Sequence, residues 1–201
     1  MTERLGILGG SFDPVHNGHL ALARAAVNGL LLQRVVFVPA ARNPLKPQDH
    51  PCATNEQRLA MVEFAIAGEP AMSANTVEMN RGGVSYTVDT LRWFTKRHAG
   101  AALFLLMGAD AAMTLGDWKD VGEFSRLCTV AVAGRLDTAG GQDLQESLDL
   151  LELKYTFIEM PPVAASSSDI RRRIAAGLPA GHLVPGPVAA YIEEHGLYCC
   201  Y

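Results

Sequence analysis

Short apolar runs alternate along the chain with longer segments in which apolar residues recur at helical spacing. The short runs are typical of buried strands, and the longer segments are typical of amphipathic helices. The predicted strands are residues 5–8, 35–38, 103–107, 129–132 and 156–158. The predicted helices are residues 18–30, 54–66, 87–97, 144–153, 169–176 and 188–195. This alternation predicts an α/β fold with a doubly wound, mostly parallel sheet that helices cover on both faces.

Two boundaries of these elements are predicted from particular residues. Pro39 should end the second strand, because proline has no N–H group to donate to a neighbouring strand. Thr54 and Gln57 have the spacing of a capping box, which predicts a helix start. In a parallel sheet ligands bind outside the carboxyl ends of the strands, so we expect functional residues in the loops after the strands.

The composition favours a single globular domain over residues 1–201, with a hydrophobic content of 49%. The formal net charge of −4 argues against a protein that coats nucleic acid. No apolar run approaches the ~18 residues that a membrane span requires, and the N-terminus has no signal-peptide pattern. The four cysteines lack CxxC spacing and are interpreted as free thiols. We therefore expect a cytoplasmic protein without nucleic-acid or membrane partners.

The loop after the first predicted strand begins with Gly9 and Gly10 and continues through Ser11 and Phe12 to a helix start. Paired glycines let the backbone approach a phosphate closely, and the N–H groups at a helix start favour an anion. The segment matches neither the Walker A pattern nor the G-x-G-x-x-G dinucleotide fingerprint. It therefore indicates a phosphate-binding loop of another kind.

Two histidines follow in the segment His16-Asn17-Gly18-His19. Residues three apart at a helix start share one face, so both imidazoles would point at a bound anion. They could donate hydrogen bonds to phosphate oxygens as charge develops in a transition state. The residues alone leave two alternatives: surface histidines in a turn, or a zinc pair with Asp13 as the nearest third ligand.

Further polar residues follow the other predicted strands. Lys46 lies on a proline-rich loop after the second strand and could reach a triphosphate as a point charge. Gly108 and Asp110 come directly after the strand 103–107. Trp118 follows, and a lone tryptophan is more often a core residue than a surface on which a ligand packs.

Residues 78–91 read E-M-N-R-G-G-V-S-Y-T-V-D-T-L, so that Ser85, Tyr86 and Thr87 stand at a predicted helix start. From its chemistry, this pattern needs no explanation beyond a capped helix after a glycine turn. The pattern is, however, long enough to be compared with the sequences of known families.

Ser166, Ser167 and Ser168 stand at the start of the helix 169–176, and we expect Ser167 or Ser168 to cap it. The first turn would then contain three arginines, which oppose the helix dipole. A bound triphosphate would relieve this conflict, because serine hydroxyls, backbone N–H groups and Arg171 could all donate to it.

These segments, spread over residues 5–198, resemble the bacterial nicotinate-nucleotide adenylyltransferases. The histidine loop is similar to the (T/H)xGH signature of the nucleotidyltransferase superfamily. Residues 78–91 resemble the stretch E-x-x-R-x-G-x-S-Y-T-x-D-T-L of this branch, and residues 165–171 resemble the motif I-S-S-T-x-I-R. The chain departs from the family at Leu45, where relatives often have histidine.

The resemblance implies a Rossmann-like nucleotidyltransferase fold. It also implies transfer of the adenylyl group of ATP to nicotinate mononucleotide, a step of NAD biosynthesis that yields nicotinate adenine dinucleotide and pyrophosphate. We expect Mg²⁺ to accompany ATP, and no metal site of the protein itself. The expected catalytic residues are His16, His19, Lys46 and Arg171. The expected ATP-binding residues are Gly9, Gly10, Ser11, Phe12, His16, His19, Gly108, Asp110, Ser166, Ser167, Ser168 and Arg171. The expected acceptor-binding residues are Lys46, Ser85, Tyr86, Thr87 and Trp118.

Several alternatives to this reaction stay open. The acceptor could be nicotinamide mononucleotide or pantetheine phosphate, or the enzyme could transfer a cytidylyl group, since the superfamily contains all of these. Only the resemblance favours the acid over the amide acceptor. A non-catalytic nucleotide sensor and a zinc hydrolase built on His16 and His19 are alternatives of different classes. The sequence also leaves open whether the chain forms a homo-oligomer.

Overall fold

The computed structural model describes residues 2–44, 52–134 and 139–199, in which six strands form one sheet. The strands are β1 (Arg4–Gly10), β2 (Arg34–Pro39), β3 (Met72–Ala74), β4 (Ala102–Gly108), β5 (Thr129–Ala133) and β6 (Tyr155–Ile158). Their order is β3-β2-β1-β4-β5-β6, and every neighbouring pair is parallel. This arrangement confirms the predicted doubly wound sheet, and its order reverses between β1 and β4.

Helices cover both faces of the sheet. In the described residues the α-helices are α1 (Asn17–Gly29), α2 (Asn55–Ile66), α3 (Val77–Arg81), α4 (Thr87–Arg97), α5 (Ala109–Ala112), α6 (Phe124–Leu127), α7 (Ala139–Leu150), α8 (Ser167–Ala175) and α9 (Gly186–Glu194). Buried residues of α1, α2, α8 and α9 form one core with the sheet, and those of α4, α6 and α7 form a second core on the other face.

The strands are apolar on both faces, which explains why they could be recognised in the sequence. In β2, Val35 and Phe37 belong to one core, while Val36 and Val38 belong to the other. Successive strand residues point to opposite faces, so a strand with helices above and below becomes a continuous apolar run.

Most element predictions agree with the structure to within three residues. The capping box is confirmed, because the Gln57 N–H donates to Thr54 Oγ1 at 3.3 Å and the Thr54 N–H donates to Gln57 Oε1 at 2.9 Å. The predictions missed β3, α3, α5 and α6, since elements of three to five residues are too short to show a period. The helix predicted over 144–153 begins five residues earlier.

The prediction for the start of α8 was wrong. Ser166, rather than Ser167 or Ser168, is the cap, and its hydroxyl accepts the N–H of Asp169 at 3.1 Å. The helix therefore begins at Ser167, and the arginines lie beyond its first turn, two of them in its last turn. A helix C-terminus favours cations, so the conflict that a triphosphate was expected to relieve does not exist.

In the part of the chain that is described, no helix combines the length and apolar character needed to cross a bilayer. The cysteines in this part are Cys52, Cys128 and Cys199, and none of them forms a disulfide.

Candidate active site

A cavity of about 750 Å³ opens at the carboxyl edge of the sheet, between the ends of β1 and β4. This is the position at which the strand order reverses, where chain connections leave in opposite directions and open a crevice. Its volume lies within the usual range of ligand-binding clefts. The start of α4 and the segment 114–119 complete its walls.

Nine of the residues predicted for the site line this cavity. They are Gly9, Gly10, His19, Ser85, Tyr86, Thr87, Gly108, Asp110 and Trp118. Seven others do not line it, and these are Ser11, Phe12, His16, Ser166, Ser167, Ser168 and Arg171. Lys46 lies outside the described residues. The cavity also contains Glu78, Asp117 and Lys119, which sequence reasoning did not select.

The two histidines stack on each other where α1 begins, with ring centroids 3.7 Å apart. The backbone N–H of His16 donates to Nδ1 of His19 at 3.1 Å. Because Nδ1 of His19 accepts this bond, the neutral ring carries its proton on Nε2. His19 therefore brings a hydrogen-bond donor to the cavity wall.

Both histidines are electrically neutral at pH 7. Burial lowers the pKa of His16 to about 4. The pKa of His19 is held well below its usual value, first by burial and second by the neighbouring His16. A phosphate bound beside these rings would favour their charged forms and raise both pKa values.

Gly18 permits this stacked arrangement. A Cβ atom at position 18 would lie 3.1 Å from both Nδ1 and Cε1 of His16, closer than packed side chains normally approach. The same turn is fixed by Asn17, whose side-chain amide donates to the carbonyl oxygen of His182 at 3.0 Å. A side chain at position 18 would thus push the His16 ring out of its present position by a few tenths of an ångström.

Asp13 anchors the loop that precedes the histidines. Its buried carboxylate accepts the N–H groups of Cys52 at 2.9 Å and Ala53 at 3.2 Å, and the hydroxyl of Tyr198 at 2.9 Å. Its carbonyl oxygen accepts from Arg171 Nη1 at 2.7 Å. Segments distant in sequence therefore converge on one loop residue, which fixes the loop relative to the core.

The zinc alternative finds no support in this geometry. Both carboxylate oxygens of Asp13, the expected third ligand, already accept hydrogen bonds. Nδ1 of His19 accepts from the backbone and is not available to a metal. Across the three described ranges, no three side chains of His, Cys, Asp or Glu are grouped to hold a metal ion.

The start of α8 contacts the same loop from outside the cavity. The Ser167 hydroxyl donates to the carbonyl oxygen of Pro14 at 2.8 Å. Arg171 is 7% exposed, and its contact with the Asp13 carbonyl places its guanidinium behind the loop. The structure thus brings the α8 residues next to the histidine loop, although they do not share a cavity with His19.

Phe12 packs against the ring of His19. Its ring lies edge-on to the His19 ring at 4.9 Å and packs against Phe37 at 5.6 Å. Its φ of +49° lies in the left-handed region, which residues other than glycine rarely adopt. The strained backbone accompanies a side chain that packs beneath His19 without lining the cavity itself.

Arg58 is a fully buried residue of α2 that sequence reasoning missed. Its guanidinium donates to the carbonyl oxygens of Ser11 and Ala40, which lie on the loops after β1 and β2, and to the side chain of Asn55. It thereby connects two loops at the carboxyl edge of the sheet. An arginine within a helical pattern normally indicates an exposed face, so no pattern in the sequence pointed to this role.

The opposite end of the cavity is built at the start of α4. The Ser85 hydroxyl accepts the N–H of Ala41 at 2.9 Å, and the Ser85 N–H donates to the carbonyl oxygen of Arg42 at 2.9 Å. These bonds connect α4 to the loop after β2. The Trp118 ring is fixed by its Nε1–H, which donates to Thr114 Oγ1 at 3.1 Å, so an oriented aromatic side chain lines the cavity.

Comparison with known proteins places this chain in a family. A family model described as cytidylyltransferase-like matches residues 7–173. A Bordetella pertussis protein named "Probable nicotinate-nucleotide adenylyltransferase" is 42% identical over 203 residues, covering 98% of each chain. A Herpetosiphon aurantiacus protein with the same name is 40% identical over 200 residues, again covering 98% of each chain.

Solved structures of the nicotinic acid mononucleotide adenylyltransferase of Plasmodium falciparum, complexed with NaAD or with APC, have TM-scores of 0.82 and 0.80. Each match covers 99% of this chain and 98% of the other, and the 16% sequence identity limits it to a common fold. The Bordetella and Herpetosiphon proteins are also similar over the full length, and their sequence identity to this chain is higher. The chain belongs to the cytidylyltransferase-like family and, within it, to the nicotinate-nucleotide adenylyltransferases.

Proposed function

We propose that the cavity transfers the adenylyl group of ATP to nicotinate mononucleotide, forming nicotinate adenine dinucleotide and pyrophosphate. One observation carries the proposal: a single cavity joins the His19 donor at the start of α1 to the Trp118 ring near the start of α4. The first end suits a phosphate, and the second suits a flat aromatic ring. The relatives that are similar over the full length bear the name of this enzyme.

In the proposed reaction, a phosphate oxygen of the mononucleotide attacks the α-phosphorus of ATP in line. A P–O bond forms, the bond from this phosphorus to the bridging oxygen breaks, and pyrophosphate leaves with that electron pair. A phosphate is already deprotonated near pH 7, so no general base is needed. Positioning and charge stabilisation therefore supply the rate enhancement.

His19 is the proposed donor to the α-phosphate. Its Nε2–H would strengthen its hydrogen bond as negative charge builds on the phosphate oxygens. His16 holds the ring of His19 by stacking and by its backbone N–H. Gly9 leaves room for the ligand, because a Cβ atom there would meet no other atom within 4 Å.

The β- and γ-phosphates would extend from the histidine loop toward the start of α8. The Ser167 and Arg171 contacts bring this helix against the loop. Hydroxyl and N–H groups at the start of α8 would then donate to the leaving pyrophosphate, and Arg171 would add a positive charge. Lys46 is proposed for the same task, on the sequence pattern alone.

ATP would enter as its Mg²⁺ complex. Magnesium is usually held by one or two carboxylates together with phosphate oxygens and water. The exposed Asp110 on the cavity wall fits such a partial donor set, and no cage of ligands exists in the described residues. The ion would offset charge on the triphosphate when it is bound.

The test is the variant His19→Ala, assayed for pyrophosphate release with Mg-ATP and nicotinate mononucleotide. We expect kcat to fall by about 10²–10³, as for the loss of other transition-state donors. His195→Ala is the matched control, because His195 lies on the surface at the end of α9. This variant should retain full activity. A loss of tenfold or less in His19→Ala would contradict the role proposed for this residue.

A further inference from the structure

Acidic side chains outnumber basic ones among the described residues of the cavity wall. Three carboxylates line it, on Glu78, Asp110 and Asp117, whereas Lys119 is the one permanent cation among its described residues. His19 is neutral at pH 7, since its pKa is lowered by burial. These carboxylates would repel an acceptor that has a carboxylate on its ring, and Lys119 is the charged side chain of the described wall that could offset this repulsion. An amide on the ring would not be repelled in the same way.

Lys119 lies at the end of the cavity proposed for the pyridine ring. It directly follows Trp118, and its ammonium nitrogen is 4.4 Å from the centroid of the Tyr86 ring. Tyr86 immediately precedes α4, whose first N–H groups have no partner within the helix. The aromatic face, the ammonium group and the helix start therefore meet in one region, which suits a ring that bears an anion.

The ammonium group is available for a ligand. Its contact with Asp89 Oδ2 is long, at 3.9 Å, and the side chain is 45% exposed. Asp89 also pairs with Arg92 at 2.9 Å, so its charge is shared with a second cation. A carboxylate that entered the cavity would compete with a weak, solvent-exposed ion pair and not with a buried one.

We propose that Lys119 determines acceptor specificity, and that its ammonium group holds the ring carboxylate of nicotinate mononucleotide. This inference rests on the proposed function. Lys119 takes no part in bond making, so removal of its charge should weaken binding of the acid and leave the amide unaffected. A charge-assisted hydrogen bond in a partly exposed site accounts for a preference of about ten- to fiftyfold.

The experiment compares the unmodified protein with Lys119→Gln, Lys119→Arg and the control Lys96→Gln. Lys96 is an exposed lysine of α4 that does not line the cavity. Pyrophosphate release gives kcat and KM separately for nicotinate and nicotinamide mononucleotide. In Lys119→Gln, we expect kcat/KM for the acid to fall by about ten- to fiftyfold, mostly through KM, and to change less than about twofold for the amide.

The two remaining variants should retain the preference for the acid, because Lys119→Arg keeps the charge and Lys96→Gln changes a charge elsewhere. Raising the salt concentration should weaken this preference in the unmodified protein but not in Lys119→Gln. An acid-to-amide ratio in Lys119→Gln within threefold of the unmodified protein would overturn the role of Lys119 alone. Failure of the unmodified protein to use either acceptor would overturn the proposed function and this inference with it.

Discussion

Tyr198 is expected to hold the loop that precedes the two histidines, although it is distant from this loop in sequence. Its hydroxyl donates to Asp13 Oδ1 at 2.9 Å across 185 positions of sequence, and both side chains are buried. Burial, followed by the neighbouring Asp13 carboxylate, raises the pKa of Tyr198 far above its usual value. The hydroxyl therefore stays protonated and is a donor at every pH at which the protein is folded.

The variant Tyr198→Phe removes this donor and keeps the ring. The Asp13 carboxylate retains the N–H groups of Cys52 and Ala53, so it loses one of the three hydrogen bonds that it accepts from described residues. A hydrogen bond to a buried charged group contributes about 1.5–3 kcal/mol. For a chain of this length, a loss of about 2 kcal/mol corresponds to a decrease in Tm of roughly 4–8 °C.

The assay is urea denaturation of Tyr198→Phe beside Tyr191→Phe. Tyr191 lies in α9, and its ring stacks on His195 at 4.0 Å with no hydrogen bond from its hydroxyl in the described residues. We expect Tyr191→Phe to change the free energy of unfolding by less than about 0.5 kcal/mol, because it keeps the ring and removes only a hydroxyl that makes no hydrogen bond in the described residues. Equal effects of the two substitutions would show that the Tyr198 hydroxyl does not stabilise the loop, and would refute the reasoning.

Two further expectations concern buried groups near the histidine loop. Between pH 7 and pH 5 the unmodified protein should lose about 2 kcal/mol more stability than His16→Asn, because the unfolded histidine gains a proton near pH 6.5 while the folded ring, with a pKa of about 4, does not. Urea unfolding at both pH values measures this difference, and parallel losses in the two proteins would contradict it. Arg58→Met should lower the free energy of unfolding by about 3–5 kcal/mol, since the carbonyl oxygens of Ser11 and Ala40 lose their buried donor. Denaturant titration checks this value, and a loss below about 1 kcal/mol would mean that water replaces the guanidinium.

Local patterns in the sequence predicted the fold where elements were long or apolar on both sides. The strands β1, β2, β4, β5 and β6 were recognised because helices bury them from both faces. The strand β3 has three residues at an edge of the sheet, too few for a pattern. The start of α8 was placed two residues late, since three consecutive serines offer equivalent caps and only the structure selects Ser166.

The residues of the site also differ in how well the sequence predicts them. The glycine pair, His19 and Trp118 stand in short motifs, so the sequence pointed to them before any contact was known. Arg58 and the Asp13–Tyr198 bond depend on contacts between residues 47 and 185 positions apart, and no local pattern encodes such pairs. The residues proposed to contact a ligand are thus more visible in the sequence than those that hold them in place.

Pyrophosphate release by the unmodified protein, with Mg-ATP and nicotinate mononucleotide, tests the central claim most directly. The expected result is pyrophosphate and nicotinate adenine dinucleotide in equal amounts, with no release when either substrate is omitted. Binding of ATP without pyrophosphate release, with both the acid and the amide acceptor, would contradict the claim and would leave a nucleotide-binding protein without this activity.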